Sequence, residues 1–471
     1  MKPLIQLPPQ NNNEILAGGI QGLYEDMSPS YRNLGVASSI KNLIRTEGLA
    51  VTTRRTRNSY GDMDSAVLGM GTLYNSDGDK YLVSGAGSTL KYYDGETWDT
   101  LTAGLTSGYK FNTATFDDFL LITNGKDPVK MWDGSDIENL GGSPPVSPFI
   151  ETAYRRVFLV DLPHILRCSD VAIADEWTAL DSAAIPINAK DGDEITWIRL
   201  YKTNMYIWKR YGLFELHGPE LGYVTKNWRV FNVCGIGTPN GRTVSEINGT
   251  LYWLSDSRDA KGIVAFNGGR PQVISQPVSK TIKSINWANI DKACAGTNGE
   301  LYFLSVPTDT STTPNTTIVF DTKDNSWWVW DIGNPLVYGT FMDSGTEIML
   351  IGDSDGNIYK LGGGEETIDY EMVIGPTTFG VNTKIKRIRR LYVVASLSTG
   401  ASMNLAASNA DSGSYGTAVS VTANTTINRI KKYLPLNLST PGSAFCYRLK
   451  ISGKGSVVIH EIGVDIGIRG V

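Results

Sequence analysis

Cysteine is scarce in this chain, and its placement argues against two common kinds of stabilising site. Only Cys168, Cys234, Cys294 and Cys446 occur among the 471 residues, and they are widely spaced. Because no CxxC pair is present, a zinc ribbon is not expected and a disulfide framework has no support. We therefore interpret the four side chains as reduced thiols of a protein made in a cytoplasm.

Long apolar segments are also absent. No apolar run approaches the roughly 18 residues that a membrane-spanning helix needs, so we expect no membrane span. Residues 1–10 lack the long apolar stretch of a signal peptide.

Signatures of catalysis are missing as well. The three histidines, His164, His217 and His460, are far apart in sequence, and the chain has no nucleophile elbow, zincin helix, P-loop or dinucleotide loop. Asp117 and Asp118 would point to opposite faces of a strand and could not act together on one bond. We expect no enzymatic activity, no catalytic residue and no cofactor.

One turn has the alternation of a calcium loop. Asp353, Asp355 and Asn357 are spaced as such ligands are. The twelfth position of an EF-hand count is Gly364, which has no carboxylate, and a hairpin turn explains the same residues equally well. We predict no metal site, with calcium at Asp353 and Asp355 as the open alternative.

Glycine and aromatic residues are abundant, with 50 glycines and an aromatic content of 10%. This composition fits an all-β protein with many hairpins. Seven short apolar runs recur at intervals of about 38 to 50 residues, which is typical of four-stranded propeller blades. The runs are Tyr81-Leu82-Val83, Phe119-Leu120-Leu121, Val157-Phe158-Leu159, Met205-Tyr206-Ile207, Leu251-Tyr252-Trp253, Leu301-Tyr302-Phe303 and Ile348-Met349-Leu350.

Turn signals stand at equivalent places around these runs. Asp94-Gly95, Asp133-Gly134 and Asn267-Gly268 each follow an aromatic residue, as in a tight turn between strands. Asn248-Gly249 and Asn298-Gly299 each come directly before an apolar run. We predict an irregular β-propeller of six or seven blades over residues 61–365.

The two flanking regions differ from the repeats. Residues 1–60 predict an N-terminal arm that leads into the first blade and is either a solvated leader or a segment that docks on a neighbouring subunit. Arg54, Arg55 and Arg57 are the candidates for that docking contact. The pattern stops near residues 362–364, three glycines that indicate a flexible joint. Residues 366–471 predict longer strands and a basic C-terminal β-sandwich-like domain.

Charge is unevenly distributed. Residues 366–471 contain 12 Lys and Arg against 6 Asp and Glu, a balance of +6; since the whole chain has a net charge of −5, the remainder sums to −11. Such asymmetry suggests an anionic partner.

The densest basic segment is residues 384–390. As a strand it would carry cations on both faces, so it must be an edge strand protected against aggregation, a strand facing phosphates, or a subunit contact that binds carboxylates. Any DNA contact would be to backbone charge. The candidates for a DNA lumen or an interface, which could share one surface, are Lys384, Lys386, Arg387, Arg389, Arg390, Arg429, Lys431, Lys432, Arg448 and Lys450.

Three stretches resemble the tail nozzle or packaged-DNA stabilisation proteins of short-tailed phages, which sit below the portal and adaptor. Residues 42–49, followed by Arg54 and Arg55, are similar to the family's N-terminal lead into the first blade. Residues 205–208 and 213–216 are similar to its mid-chain strand pair. Residues 447–451 and the segment ending at Ile466 are similar to its terminal β-hairpin.

The resemblance implies a structural virion protein of the tail, synthesised in the cytoplasm of a host bacterium. Such proteins form a ring, most often of six copies, that retains packaged DNA and conducts it during ejection. The implied partners are further copies of the chain, portal-adaptor proteins above, needle, plug or fibre proteins below, and double-stranded DNA bound through non-specific backbone contacts. The family has no catalytic residues to transfer.

The alternative is a glycan- or protein-binding propeller module of the receptor-binding or adhesion kind, and a propeller hydrolase ranks below it. A binding module would expose Trp and Tyr at the mouth of the propeller. A hydrolase would bring carboxylates or arginines together in its central funnel.

Overall fold

The computed structural model describes residues 12–16, 19–179, 181–218, 227–379, 386–409, 414–434 and 446–468. Within these ranges nearly all regular structure is β-strand, as the composition predicts. The helical elements described are one short α-helix, Ser279–Lys283, and three 3₁₀ helices, Gly241–Thr243, Gln276–Val278 and Trp287–Lys292.

In the described part of the chain, six strands precede the repeats. They are β1 Asn12–Leu16, β2 Gly22–Leu23, β3 Val36–Lys41, β4 Leu43–Arg45, β5 Val51–Thr53 and β6 Arg57–Asp62.

The repeats form four-stranded antiparallel sheets, each a propeller blade. The first two blades are β7 Val67–Tyr74, β8 Lys80–Ala86, β9 Thr89–Tyr93 and β10 Trp98–Thr102, then β11 Asn112–Phe116, β12 Phe119–Thr123, β13 Lys130–Trp132 and β14 Ile137–Asn139. The next two are β15 Ile150–Ala153, β16 Arg156–Asp161, β17 Ile165–Cys168 and β18 Ala183–Pro186, then β19 Ile195–Tyr201, β20 Asn204–Lys209, β21 Leu213–His217 and β22 Arg229–Cys234.

Three more blades follow. The fifth and sixth are β23 Ser245–Ile247, β24 Thr250–Ser257, β25 Ala260–Phe266 and β26 Gln272–Val273, then β27 Cys294–Thr297, β28 Leu301–Val306, β29 Thr316–Asp321 and β30 Ser326–Trp330. The seventh has three consecutive strands, β31 Pro335–Asp343, β32 Thr346–Asp353 and β33 Asn357–Leu361.

The propeller therefore has seven blades, and the seven apolar runs mark them correctly. Each run lies in the second strand of its blade, between two paired neighbours. The run in β28 is a clear case, since Tyr302, Phe303 and Leu304 are all fully buried. A second strand is covered on both faces by the adjacent blades, which explains why its sequence is apolar at successive positions.

The seventh blade is completed from the other end of the repeats. The strand β6 pairs antiparallel with β33, with Asn58 opposite Lys360. Residues 57–60 therefore belong to the propeller, although they were assigned to the arm. The local sequence could not show this pairing because its two strands are separated by about 300 residues.

The first strands of the blades surround the propeller axis, where neighbouring backbones approach closely. Glycine permits that approach at two places. A Cβ atom on Gly296 would overlap the side chain of Tyr338 in the next blade, and one on Gly71 would overlap Thr113. These glycines are required by packing at the axis rather than by a turn.

The C-terminal strands are β34 Asp369–Thr377, β35 Lys386–Leu397, β36 Ser402–Ser408, β37 Val419–Thr422, β38 Ile427–Leu434, β39 Tyr447–Lys454 and β40 Val457–Ile468. They form two six-stranded sheets, one ordered β38-β35-β40-β5-β4 with β1 also on β40, the other β2-β3-β34-β39-β36-β37. Apolar side chains from both sheets share one core, including Leu391, Val393, Leu405 and Ile451. This is the β-sandwich.

The N-terminal segment is a structural part of this sandwich, which corrects the arm predicted for residues 1–60. The strands β2 and β3 extend one sheet, and β4 and β5 extend the other. Ala37, Ile40, Leu43 and Val51 of this segment are buried in the common core. A solvated leader or a free docking arm is therefore wrong for the described residues of this segment.

The predicted terminal hairpin is also not formed as such. The strands β39 and β40 are consecutive in the chain, but β39 pairs with β34 and β36 whereas β40 pairs with β35, β5 and β1. The chain crosses from one sheet of the sandwich to the other between them. The mid-chain pair is formed, since β20 and β21 are adjacent antiparallel strands.

The sandwich packs directly on the sixth blade. Asn42 N–H donates to the carbonyl of Val329 at 2.9 Å, and Trp330 Nε1 donates to the carbonyl of Leu43 at 2.9 Å. The apolar core of the sandwich continues into Trp327 and Trp330 of β30. The two domains thus form a continuous packed unit at this contact.

The glycine segment that predicted a flexible joint is held in place by the start of the propeller. Gly362 N–H donates to the carbonyl of Thr56 at 2.6 Å, and Gly364 N–H donates to Thr56 Oγ1 at 3.1 Å. A Cβ on Gly364 would overlap the carbonyl oxygen of Arg57. Glycine here allows two chain segments to pass closely.

Arg54 and Arg57, two of the candidates for subunit docking, are instead engaged within the chain. Arg54 is buried and donates to both carboxylate oxygens of Glu366, at 2.9 and 3.1 Å. Arg57 Nη2 donates to Glu366 Oε1 at 3.1 Å. Burial opposes ionisation of Glu366, but the bonds and charges of the two arginines outweigh it and lower the pKa of that carboxyl to about 2. Arg55 is exposed.

Candidate functional site

The basic segment predicted as a candidate site lies in β35, within the first sheet of the sandwich. From Leu391 to Leu397 this strand is paired on both sides, by β38 and β40, so it is not an edge strand there. From Lys386 to Arg390 the recorded partner is β40 alone. Lys384 and the side chains of Lys386, Arg387 and Arg389 lie outside the described residues; Arg390 is exposed.

A cationic and aromatic surface covers the outer face of this sheet. Because side chains alternate along a strand, Arg390 and Tyr392 point away from the core that holds Leu391 and Val393. Lys431 Nζ lies 3.6 Å from the centre of the Tyr392 ring and 5.6 Å from that of Tyr433. We call Arg390, Tyr392, Arg429, Lys431 and Tyr433 the basic face.

Arg429 is positioned on the basic face by a bulge between β35 and β38. Its backbone has a positive φ of 52°, and its N–H donates to Ser396 Oγ at 3.1 Å. The same hydroxyl is 2.8 Å from His460 Nε2. Burial and the neighbouring charge of Arg429 lower the pKa of His460, which disfavours protonation of this imidazole.

Among the described residues the cations of the basic face form no ion pair, although Tyr392 O–H donates to the carboxylate of Glu461 at 2.7 Å. No carboxylate oxygen of the described side chains lies within 4.0 Å of Arg390, Arg429 or Lys431. Lys431 is instead held over an aromatic ring, which stabilises a cation without removing its charge. The face can therefore attract an anion.

The structure does not bring the other candidates to this face. Lys432 is opposite Val393, so it points to the other side of β38 from Lys431. Arg448 and Lys450 lie in β39 of the second sheet, whose outward side is the opposite surface of the sandwich. Lys450 Nζ forms an ion pair with Glu371 at 2.6 Å, and Arg448 lies over the ring of Tyr415 at 4.8 Å. The single shared surface that we expected is therefore split in two.

A second concave site is the channel along the propeller axis, with a cavity of about 330 Å³. All seven first strands contribute to its walls. Its charged residues are Glu151, Arg199, Arg242 and Glu246. Sequence reasoning missed this site because its residues come from three different blades, with only Arg242 and Glu246 close in sequence, and none belongs to a local motif.

The carboxylate of Glu151 in the channel is held by backbone groups. Glu151 Oε1 accepts from Thr152 N–H at 3.0 Å and Oε2 accepts from Leu200 N–H at 3.3 Å. Burial raises the pKa of Glu151, and the nearby charge of Arg199 acts in the opposite direction. Converging charges of this kind were the feature expected of a hydrolase funnel, but here the carboxylate is occupied in fixing adjacent strands.

A larger cleft, of about 830 Å³, lies between the β4–β5 hairpin of the sandwich and the sixth and seventh blades. Arg45 of the hairpin and Asp324 of the sixth blade form an ion pair at 3.1 Å beside it. Arg55, the third docking candidate, also lines this cleft. The cleft is a product of the contact between the two domains.

The turn with calcium-like spacing is held by its own backbone. Asp353 is buried, and its Oδ1 accepts from Asp355 N–H at 2.9 Å and from Asn357 N–H at 2.8 Å. Such bonds close a tight turn between strands. Among the described residues no group of three His, Cys, Asp or Glu side chains is close enough to hold a metal ion.

Comparisons with known proteins give distant structural likenesses and no family. No family model matches the chain, and no curated protein matches it. Similar solved structures include YCF48 bound to a peptide, with 12% identity, a TM-score of 0.43 and coverage of 69% of this chain and 100% of that chain. The WD40 propeller domain of Doa1 has 10% identity, a TM-score of 0.40 and coverage of 67% and 98%.

A catalytically inactive virginiamycin B lyase from Staphylococcus aureus, solved with quinupristin, has 10% identity, a TM-score of 0.45 and coverage of 65% and 98%. The assignment of the chain as a β-propeller protein rests on its own four-stranded sheets. Within its described residues, no helix is long and apolar enough to cross a bilayer.

Proposed function

We propose that this protein is a structural, non-catalytic binding module that contacts a polyanionic partner through the basic face of its sandwich. The observation that carries the proposal is the absence of any described carboxylate within 4.0 Å of Arg390, Arg429 and Lys431, three exposed cations on one sheet. Exposed cations without counter-charges favour an anionic ligand. The propeller supports this face as a rigid platform.

Double-stranded DNA is the polyanion that we propose. Regularly spaced phosphates suit cations distributed along a strand, and the contact would carry no sequence information. The ring of Tyr392 holds the Lys431 ammonium in place, with Tyr433 beside it, so the lysine loses little freedom on binding.

The test measures binding of a fluorescent DNA duplex by anisotropy at several salt concentrations. We expect weak binding by the unchanged chain, with a Kd of roughly 10⁻⁴ to 10⁻⁶ M. The triple variant Arg390→Gln, Arg429→Gln, Lys431→Gln should bind at least about tenfold more weakly, and its slope of log K against log salt should be smaller by about 3.

A matched control is available on the propeller. Lys190, Arg258 and Arg270 are exposed and comprise the same residue types as the triple variant. Their replacement by Gln changes the net charge equally but leaves the basic face intact. Equal losses of affinity in the two triple variants would show that net charge alone governs binding and would refute a specific role of the basic face.

A more specific form of this proposal is the ring-forming tail nozzle, which retains packaged DNA and conducts it during ejection. It is supported by the resemblance at residues 205–216, where the expected strand pair is formed by β20 and β21. A ring would need contacts other than Arg54 and Arg57, because these side chains are engaged with Glu366.

The ring is tested by single-particle imaging and native mass of the purified chain at high concentration. A closed ring with a lumen of about 20 Å or more and the basic face on that lumen would support the nozzle. A ring with the basic face on its outside, or a monomer that stays monomeric with portal-adaptor proteins present, would refute it while leaving DNA binding by the single chain to be judged by anisotropy.

A further inference from the structure

We propose that the propeller channel contains a binding site for a small oxyanion, a phosphate or carboxylate group, between Lys110 and Arg242. Neither residue was singled out by the sequence. Lys110 lies just before the first strand of the second blade, and Arg242 lies in the 3₁₀ helix just before the first strand of the fifth blade. Both are therefore at the end of the channel where the first strands begin.

Each cation is held in place by one backbone carbonyl. Lys110 Nζ donates to the carbonyl of Asp291 at 2.9 Å, and Arg242 Nη1 donates to the carbonyl of Phe111 at 3.0 Å. An ammonium has three donor hydrogens and a guanidinium has five, so several donors on each side chain remain for a ligand. The two positions are thus fixed before any ligand binds.

No described carboxylate neutralises this pair. No Asp or Glu oxygen among the described residues lies within 4.0 Å of Lys110 Nζ or of the Arg242 guanidinium. Glu246 lines the same cavity but forms no ion pair. Glu151 is engaged by Thr152 N–H and Leu200 N–H, as described above. Arg242 in the channel wall and Lys110, which is coupled to it electrostatically but does not itself line the cavity, are thus two neighbouring cations that form no ion pair with a described carboxylate.

Burying the charges of Lys110 and Arg242 next to each other costs free energy unless an anion is bound beside them. Burial, and then the positive charge of Arg242, lower the pKa of Lys110 to about 8. The charge of Lys292 lowers this pKa further, whereas that of Asp291 raises it. Burial lowers the pKa of Arg242 to about 10. Burial also raises the pKa of the adjacent Cys294 thiol to about 12, so this thiol stays protonated and supplies no negative charge.

The cavity that Arg242 lines, next to Lys110, is large enough for a small oxyanion. Its volume of about 330 Å³ accommodates a phosphate or carboxylate group together with water molecules. Asn112, Thr113, Ser245 and Thr297 line it and offer further polar groups. Arginine and lysine together are the usual protein ligands for phosphate and carboxylate oxygens.

Isothermal titration calorimetry of the full chain with inorganic phosphate, and separately with acetate, tests the site at constant ionic strength. We expect saturable binding of at least one of them, and the tighter one identifies the source of the oxyanion as a phosphate or a carboxylate. Lys110→Gln and Arg242→Gln should each weaken that binding by about tenfold or more, since each removes a charged donor.

Lys202→Gln is the matched control. Lys202 Nζ also donates to a backbone carbonyl, that of Asn267 at 2.8 Å, but it does so on an exposed part of the propeller. This variant should bind the anion as the unchanged chain does. An equal loss of affinity in all three variants, or no saturable binding of phosphate or acetate by the unchanged chain, would overturn the proposal.

A second measurement uses only the unchanged protein and so does not depend on whether a variant folds. Sulfate keeps the same charge from pH 6.5 to pH 9.5, whereas Lys110 loses its proton over this range. Sulfate should therefore bind several times more tightly at pH 6.5 than at pH 9.5. Affinity that is independent of pH over this range would contradict a role for Lys110.

Discussion

Arg54 Nη2 lies 2.9 Å from Glu366 Oε1, and this ion pair joins the two domains of the protein. Arg54 follows the sandwich strand β5, and Glu366 follows the last strand of the propeller. Arg54 is almost fully buried, while the side chain of Glu366 is 22% exposed. The contact replaces a hinge with a fixed junction, because a buried guanidinium must keep its partners.

Glu366→Gln should destabilise the protein by about 2 kcal/mol or more, because it leaves the buried guanidinium of Arg54 without its counter-charge. The measurement is the free energy of unfolding in urea at neutral pH. Glu300→Gln is the control, since the Glu300–Lys323 pair is exposed on both sides and solvent screening leaves it little effect on stability. Similar losses in the two variants would contradict a structural role for the buried pair.

The same ion pair predicts how the stability of the protein depends on pH. The pKa of Glu366 is about 2 in the folded protein and 4.5 ordinarily, so the unfolded chain binds its proton first as the pH falls. The stabilisation is complete above about pH 4.5 and is lost between pH 4.5 and pH 2. The free energies of unfolding in urea of the unchanged protein and of Glu366→Gln should therefore converge as the pH falls through this interval. A difference that stays constant from pH 7 to pH 2 would show that the charge of Glu366 is not its cause.

The repeats could be predicted from sequence because their signal is local. A blade is a set of consecutive strands, so Leu251-Tyr252-Trp253 and the preceding Asn248-Gly249 turn lie within a few residues of each other. The pleated, buried second strand needs apolar side chains, and the turn needs a residue that tolerates positive φ, as Asn248 and Gly249 have. These requirements appear directly in the sequence at each repeat.

The assembly of the chain ends could not be predicted because it depends on distant pairings. Ile40 is opposite Met372, more than 300 residues away, and no local pattern records such a register. The short N-terminal strands also offer too few residues for a clear alternation. The consequence was an arm where the structure has sandwich strands, and docking roles for Arg54 and Arg57 that the structure assigns to an internal ion pair.

For the candidate sites too, features made by neighbouring residues were predicted, and features made by distant pairings were not. The basic character of β35 was visible because its cations are neighbours in sequence, but the separation of Arg448 and Lys450 from Lys431 depends on which sheet each strand joins. Lys110 and Arg242 were missed because each is an isolated cation just before the first strand of its blade. Only the closed ring of blades brings them to one end of the channel.

Lys209 in the fourth blade gives a test of buried charge. Its ammonium is fully buried and lies 2.7 and 2.9 Å from the two carboxylate oxygens of Asp191. It also donates to the carbonyls of Asn188 and Asp193. Asp191→Ala should cost about 3 to 5 kcal/mol, because it leaves a buried cation without a carboxylate.

Lys209→Met should cost less than Asp191→Ala. The apolar side chain fills the buried site, and the carboxylate of Asp191, which is 26% exposed, can be hydrated. The double variant should be no less stable than Asp191→Ala alone, since the uncompensated cation is then gone. The free energies of unfolding in urea of the unchanged protein and the three variants form a double-mutant cycle that measures this coupling. A larger loss for Lys209→Met than for Asp191→Ala would contradict the argument.

Packing at the propeller axis gives the last prediction. A Cβ on Gly296 would overlap the Cβ of Tyr338, whose hydroxyl oxygen is 2.7 Å from Ser305 Oγ. Because the tyrosine is held at both ends, it cannot move aside, and Gly296→Ala should cost about 2 kcal/mol and lower the Tm. Gly235→Ala is the control: its new Cβ would lie 3.9 Å from the carbonyl of Tyr211 and its φ is not in the left-handed region, so the Tm should be nearly unchanged. If the two variants have the same Tm, the first strands of the blades are not packed as tightly around the axis as the Gly296–Tyr338 contact requires.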